Sequence, residues 1–127
     1  MNKPMLGLRT AIYQVSDIEA AKKWYEKAFE TAPYFDEPFY VGFDIGGFEL
    51  GLQPEETPSL DKTESVVAYW GVEDVEKEYN RLLTLGATAF ETPREVGGGI
   101  IVAKVKDFWG NIIGLIYNPH FDKTKVI

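Results

Sequence analysis

Apolar positions along this chain follow two rhythms, and each rhythm occurs twice. Phe48, Leu50 and Leu52 alternate with Glu49, Gly51 and Gln53, which puts the two sets on opposite faces of a strand. Ile18, Ala21, Trp24, Tyr25, Ala28 and Phe29 recur instead at helical spacing and predict an amphipathic helix over residues 17–30. Ahead of that helix, residues 6–15 (LGLRTAIYQV) read as a strand rich in β-branched and aromatic side chains. Ser16-Asp-Ile-Glu19 at the junction reads as a capping box, with Ser16 as the cap and Glu19 reaching back. After Thr31-Ala-Pro33 the pattern predicts a short strand over 33–37, a longer one over 39–45 and a return strand over 48–53. Gly46-Gly47 between the last two is a strong hairpin signal.

Residues 53–63 (QPEETPSLDKT) break both rhythms, and their two prolines and several charges predict a linker rather than a functional lid. Then the order returns. Residues 64–72 read as a strand, and Val75, Tyr79, Leu82 and Leu83 give one apolar face to a helix over 74–85. Gly86 is placed to end that helix in a left-handed cap. A strand over 87–92, a flexible loop over 93–99 and a strand over 100–106 follow. Asp107-Phe-Trp-Gly-Asn111 reads as a turn, residues 112–117 as the last strand, and Asn118-Pro119 as its stop.

The two passes can be laid over each other. Val15-Ser-Asp-Ile18 matches Val72-Glu-Asp-Val75 at a strand-to-helix junction, and Gly51-Leu52 matches Gly114-Leu115 near the end of each pass. The shift between copies grows towards the C-terminus, which fits an insertion near residues 96–99. Each half is thus strand, helix, then three strands, an internal duplication. Fold class follows: α+β, built from two βαβββ modules.

Bulk properties narrow the function. At 127 residues the chain reads as one domain, with a first module over about 5–54, a linker over 55–63, a second module over 64–119 and a tail over 120–127. A hydrophobic content of 45% is ordinary for a soluble protein, and no apolar run reaches membrane-spanning length. With no signal-peptide pattern and no cysteine, the expectation is a cytoplasmic protein without disulfides or thiolate chemistry. A net charge of −7 disfavours nucleic acid and suits a cationic or neutral small molecule. No phosphate loop is present, since Gly97-Gly-Gly99 lacks the following lysine, and one histidine leaves little for a serine nucleophile.

The tandem βαβββ order, the Val-x-Asp at each helix start and the closing Asp-x-x-Gly-Asn turn resemble the vicinal-oxygen-chelate superfamily, over residues 6–119. This is the glyoxalase, bleomycin-resistance and extradiol-dioxygenase group. Where the family commonly has proline after the turn aspartate, this chain has Phe108. The resemblance implies that the two modules form a curved, half-open mixed sheet around a pocket with the helices outside, and a homodimer. Its metal enzymes hold a divalent ion with His, Glu or Gln side chains from four strands. Carried over, those positions are Thr10, Glu49, Val67 and either Gly114 or Ile112, and Glu49 alone keeps a ligand. No metal and no cofactor are therefore expected, since transition-metal sites need three or four convergent donors.

Candidate ligand-binding residues are Thr10, Ile12, Gln14, Glu49, Gln53, Val67, Tyr69 and Trp109. Glu49 is either a pocket carboxylate or a solvated one beside Gln53. Tyr69 shares the face of Val67 and either stacks on a ligand or packs, while Trp70 points to the helix side. Trp109, a large apolar residue in a turn, either covers the pocket mouth or fills a dimer interface. Arg9 and Tyr13 fall on the face opposite Thr10, and His120 reads as a surface residue of the tail. The leading expectation is a metal-free protein that sequesters an aromatic or cationic compound, with no nucleic acid or membrane partner. The alternative is a glyoxalase-like lyase or isomerase, or another metal-dependent enzyme of the superfamily, with Glu49 as candidate base. For assembly, the first strand of each module and the apolar tail over 121–127 predict a homodimer with shared pockets.

Overall fold

Two four-stranded mixed sheets, each with one helix, make up the computed structural model, which describes residue 6 and residues 8–126. The first half runs β1 (Thr10–Val15), α1 (Ile18–Phe29), β2 (Phe35–Glu37), β3 (Tyr40–Ile45) and β4 (Phe48–Pro54). The second runs β5 (Tyr69–Gly71), α2 (Val75–Thr84), β6 (Thr88–Gly97), β7 (Ile100–Lys106) and β8 (Ile112–Tyr117). Strand orders are β1-β4-β3-β2 and β5-β8-β7-β6, with the first pair of each sheet parallel and the others antiparallel. The parallel pairs match: Ile12 stands beside Gly51 in one sheet and Tyr69 beside Gly114 in the other. That register makes Ile112 the counterpart of Glu49 and resolves the choice between Gly114 and Ile112.

Alternation does what the sequence predicts. Tyr13, Val15, Val41, Phe43, Leu50 and Leu52 point to the helices and are buried. They share one apolar cluster with Val105, Ile113 and Leu115 of the second half. The helix ends tie the halves together. From α1, Trp24 Nε1 donates to the Leu85 carbonyl at the end of α2 (2.8 Å). From α2, Arg81 donates to the Ala28 and Lys27 carbonyls at the end of α1 (2.6 and 3.3 Å). Each helix thus satisfies carbonyls that the other leaves without a partner. Trp70 Nε1 also donates to the Tyr13 hydroxyl (3.1 Å), and burial lifts the pKa of that hydroxyl to about 12.

Several local expectations are corrected. The cap of α1 is Asp17, whose carboxylate accepts from Ala20 N at 3.0 Å. Because the helix begins at Ile18, Ser16 stands one residue too early to cap it. Residues 64–68 are not strand: the ladder to β8 begins at Tyr69, and of the segment before it Ala68 accepts one bond, from Gly114 N at 3.0 Å. Leu6, Leu8 and Arg9 likewise precede β1, while Gly7 and Ile127 fall outside the described residues. Residues 93–97 belong to β6 instead of a loop; register shifts along this edge strand accommodate Pro93. The linker is anchored: Lys62 Nζ donates to Glu55 Oε1 (3.1 Å) and to the Trp109 carbonyl (2.6 Å). Gly86 does end α2 with φ 102°, and Phe108 packs over it, edge-on to Trp24.

Candidate functional site

The strand period that buries Leu50 and Leu52 turns Glu49 to the helix-free side of the first sheet. Three hydroxyls meet it there. Thr10 Oγ1, from the neighbouring parallel strand, donates to Oε1 at 3.2 Å, and Tyr40 OH donates to the same oxygen at 2.6 Å. Tyr34 OH, from the segment before β2, donates to Oε2. These bonds, Tyr34 first and then Tyr40, hold the Glu49 carboxyl below its ordinary pKa, against a weaker opposing push from burial. Conversely, burial and the adjacent carboxylate push the Tyr40 hydroxyl up, so it stays a proton donor.

Two glycines make room for this cluster. A Cβ at Gly51 would strike the Tyr40 hydroxyl, and one at Gly42 would come within 2.9 Å of Glu49 Oε2 and 3.3 Å of the Tyr34 ring. Beside the cluster lies a cleft of about 510 Å³, between β1 and residues 62–68. Thr10, Ile12, Gln14, Val67 and Ile112 line it. Glu49 does not; Thr10 is the wall common to both.

Of the sequence-selected residues, Thr10, Ile12, Gln14 and Val67 therefore share the cleft. Gln53 is register-paired with Gln14, one strand further in. Tyr69 is 40% exposed and covers Gly114, with Lys104 Nζ 6.0 Å from its ring centre. Trp109 is placed differently from the expectation. It is buried in the apolar cluster, edge-on to the exposed Phe108, because Asp107, Gly110 and Asn111 of the turn around it are buried. Asp107 organises that turn, accepting from Tyr25 OH (2.6 Å), Trp109 N and Asn111 N (2.8 Å each) and Asn111 Nδ2 (3.0 Å). His120 is exposed in the tail, with its Nε2 2.7 Å from the Gly98 carbonyl at the β6–β7 hairpin and its backbone N donating to Asn118 Oδ1 at 2.9 Å. Sequence reasoning missed Tyr34 and Tyr40; the isolated glycines at 42 and 51, inside strands, were the available signal.

The donor set does not fit the family's metal. Val67 and Ile112 offer only hydrocarbon, and Thr10 is a neutral hydroxyl already committed to Glu49, the one carboxylate of the four positions. Among the described residues, no group of three or more His, Cys, Asp or Glu lies together. Nor is any helix among them long and apolar enough to cross a membrane.

Two mixed sheets, each with a parallel first pair and one helix, define the vicinal-oxygen-chelate fold. The chain belongs to the Glyoxalase/Bleomycin resistance protein/Dioxygenase superfamily, whose family model matches residues 7–115. It is 32% identical over 80 residues to the uncharacterized protein YurT of Bacillus subtilis (strain 168). That match covers 58% of this chain and 62% of YurT. A glyoxalase-related enzyme from Fulvimarina pelagi superposes with a TM-score of 0.75 at 20% identity, over 91% of this chain and 90% of its own. The fosfomycin resistance protein FosX of Listeria monocytogenes gives 0.70 at 15% identity, over 99% and 100%. At these identities the structural likeness is one of fold alone.

Proposed function

We propose that this chain is a ligand-binding member of its family that sequesters an aromatic or cationic compound without metal chemistry. The observation that carries this reading is the state of Glu49. Its carboxylate accepts from three hydroxyls and is held below its ordinary pKa, so it remains charged at neutral pH. A base that removes a carbon-bound proton works best with a pKa near the working pH, and these bonds move Glu49 the other way. A fixed negative charge beside an open cleft suits recognition instead. The test is a melting-temperature screen of aromatic and cationic compounds in chelator-containing buffer, where a bound ligand raises the midpoint by mass action. A rise is expected without metal; a rise that requires added divalent ion overturns the reading.

The same reading includes a homodimer with pockets shared between chains. Its support is that β1 and β5 are both sheet edges and that Leu8, Ile12 and Val66 are exposed beside them. Sedimentation equilibrium at micromolar concentration is expected to return the mass of two chains. A single-chain mass with ligand binding intact would rule out the shared pocket.

A further inference from the structure

The helix-free face of the first sheet carries aromatic side chains that its packing does not use. Tyr34, Phe35 and Phe39 are 64%, 41% and 65% exposed, although phenylalanine ordinarily goes to the core. They are grouped rather than scattered. The Phe35 ring centre lies 6.0 Å from that of Phe39 and 6.3 Å from that of Tyr40, and both tyrosines donate to Glu49. Phe35, Gly42, Gly51 and Ile12 form one row across the four strands. The two glycines leave a bare floor between the aromatic end of that row and Ile12.

Nothing within the sheet neutralises the carboxylate, since β1, β2, β3 and β4 contain no lysine or arginine. Its hydrogen-bonding capacity is nevertheless largely spent, because three of the roughly four lone-pair sites of a carboxylate already accept. What it offers a ligand is therefore negative potential, with little room for further N–H donors. A primary ammonium or a guanidinium gains most from donating N–H bonds to a carboxylate. An alkylated ammonium gains from ring faces and potential, and needs few donors or none. We propose that this face binds an organic cation with an alkylated nitrogen, held against Tyr34, Phe35, Phe39 and Tyr40 with Glu49 as counter-ion. The proposal narrows the aromatic-or-cationic reading above and rests on it.

The test uses the full chain in NMR titrations with four probes. Choline carries the quaternary nitrogen, 3,3-dimethyl-1-butanol has its shape without charge, ethanolamine has the charge with N–H donors, and benzyl alcohol is a neutral aromatic. Choline is expected to shift the amides of β3 and β4 and to bind about tenfold more tightly than the uncharged isostere or ethanolamine. Phe39→Ala, at an exposed position, is expected to weaken choline several-fold with an unchanged melting temperature. Equal binding of 3,3-dimethyl-1-butanol or ethanolamine would overturn the proposal. Binding of benzyl alcohol but not choline would overturn it while leaving the broader ligand-binding reading in place. If none of the four perturbs this face, the proposal fails, and the metal-free screen then decides the broader reading separately.

Discussion

Matched through their hydrogen-bond registers, the helix-free faces of the two sheets share a plan and differ in chemistry. Asp44 beside Glu49 in the first corresponds to Lys106 beside Ile112 in the second, and Gly42 beside Gly51 corresponds to Lys104 beside Gly114. Where the first sheet sets an ionised carboxylate among hydroxyls, the second buries an isoleucine. Its cations are engaged locally, with Lys104 3.4 Å from Glu91 and Lys106 over the Phe90 ring. The hairpins diverge as well. The β3–β4 turn is an exposed glycine pair held by Asp44, which accepts from Gly47 N at 2.8 Å. The β7–β8 turn is buried around Asp107. Duplication preserved the backbone pairing, while the side chains of the two faces diverged in chemistry.

The strongest way to break this comparison is to remove the acidic residue of each turn. Asp107→Ala strands a tyrosine hydroxyl and two backbone amides in a buried site and is expected to lower stability by about 3 kcal/mol or more. Asp44→Ala, on the exposed turn, should cost less than about 1 kcal/mol. Urea midpoints measure both, and equal losses would mean that the turns are equivalent.

A reciprocal exchange on the sheets should act less strongly. Ile112→Glu places a carboxyl where the side chain is buried and is expected to cost about 2 kcal/mol. Glu49→Ile leaves partly solvated hydroxyls behind and should cost about 1 kcal/mol. Thermal unfolding of the two variants tests the ranking, and a larger loss at Glu49 would reverse it.

The smallest effect sharpens the comparison through pH. Glu49 has a folded pKa below its ordinary value of 4.5, so its charge, and any stability it adds, is present above that value. Both are lost as pH falls through the lowered pKa. Affinity for a cationic ligand should therefore fall in acid with a midpoint below 4.5. In Glu49→Gln it should be weaker and flat throughout. A midpoint of decline above 4.5 in the parent chain would point to another group.

How far these differences could be read beforehand depended on the range of the interactions. Ile18 to Phe29 and Phe48 to Gln53 announced their elements because periodicity is local, and the Gly51-Leu52 and Gly114-Leu115 pairs carried the register of both sheets. Glu49 stood out only by family resemblance. Its donors arrive from β1, from β3 and from the segment before β2, and no spacing rule connects them. Trp109 was misjudged for a related reason. A turn is ordinarily solvated, and the four bonds that sink this one all converge on Asp107. Residues 64–68 are apolar enough for a strand, but composition says nothing about whether a pairing edge is within reach.

The crossed bonds at the helix ends bear on how the chain unfolds. Detaching one half strips Trp24 from the end of α2 and Arg81 from the end of α1, and splits an apolar cluster drawn from both. Neither half then retains a native-like free-energy minimum of its own, despite the duplication that produced it. Melting should be a single all-or-none event, with calorimetric and van't Hoff enthalpies in agreement. The slowest-exchanging amides should lie in the strands of both halves and report one common opening free energy.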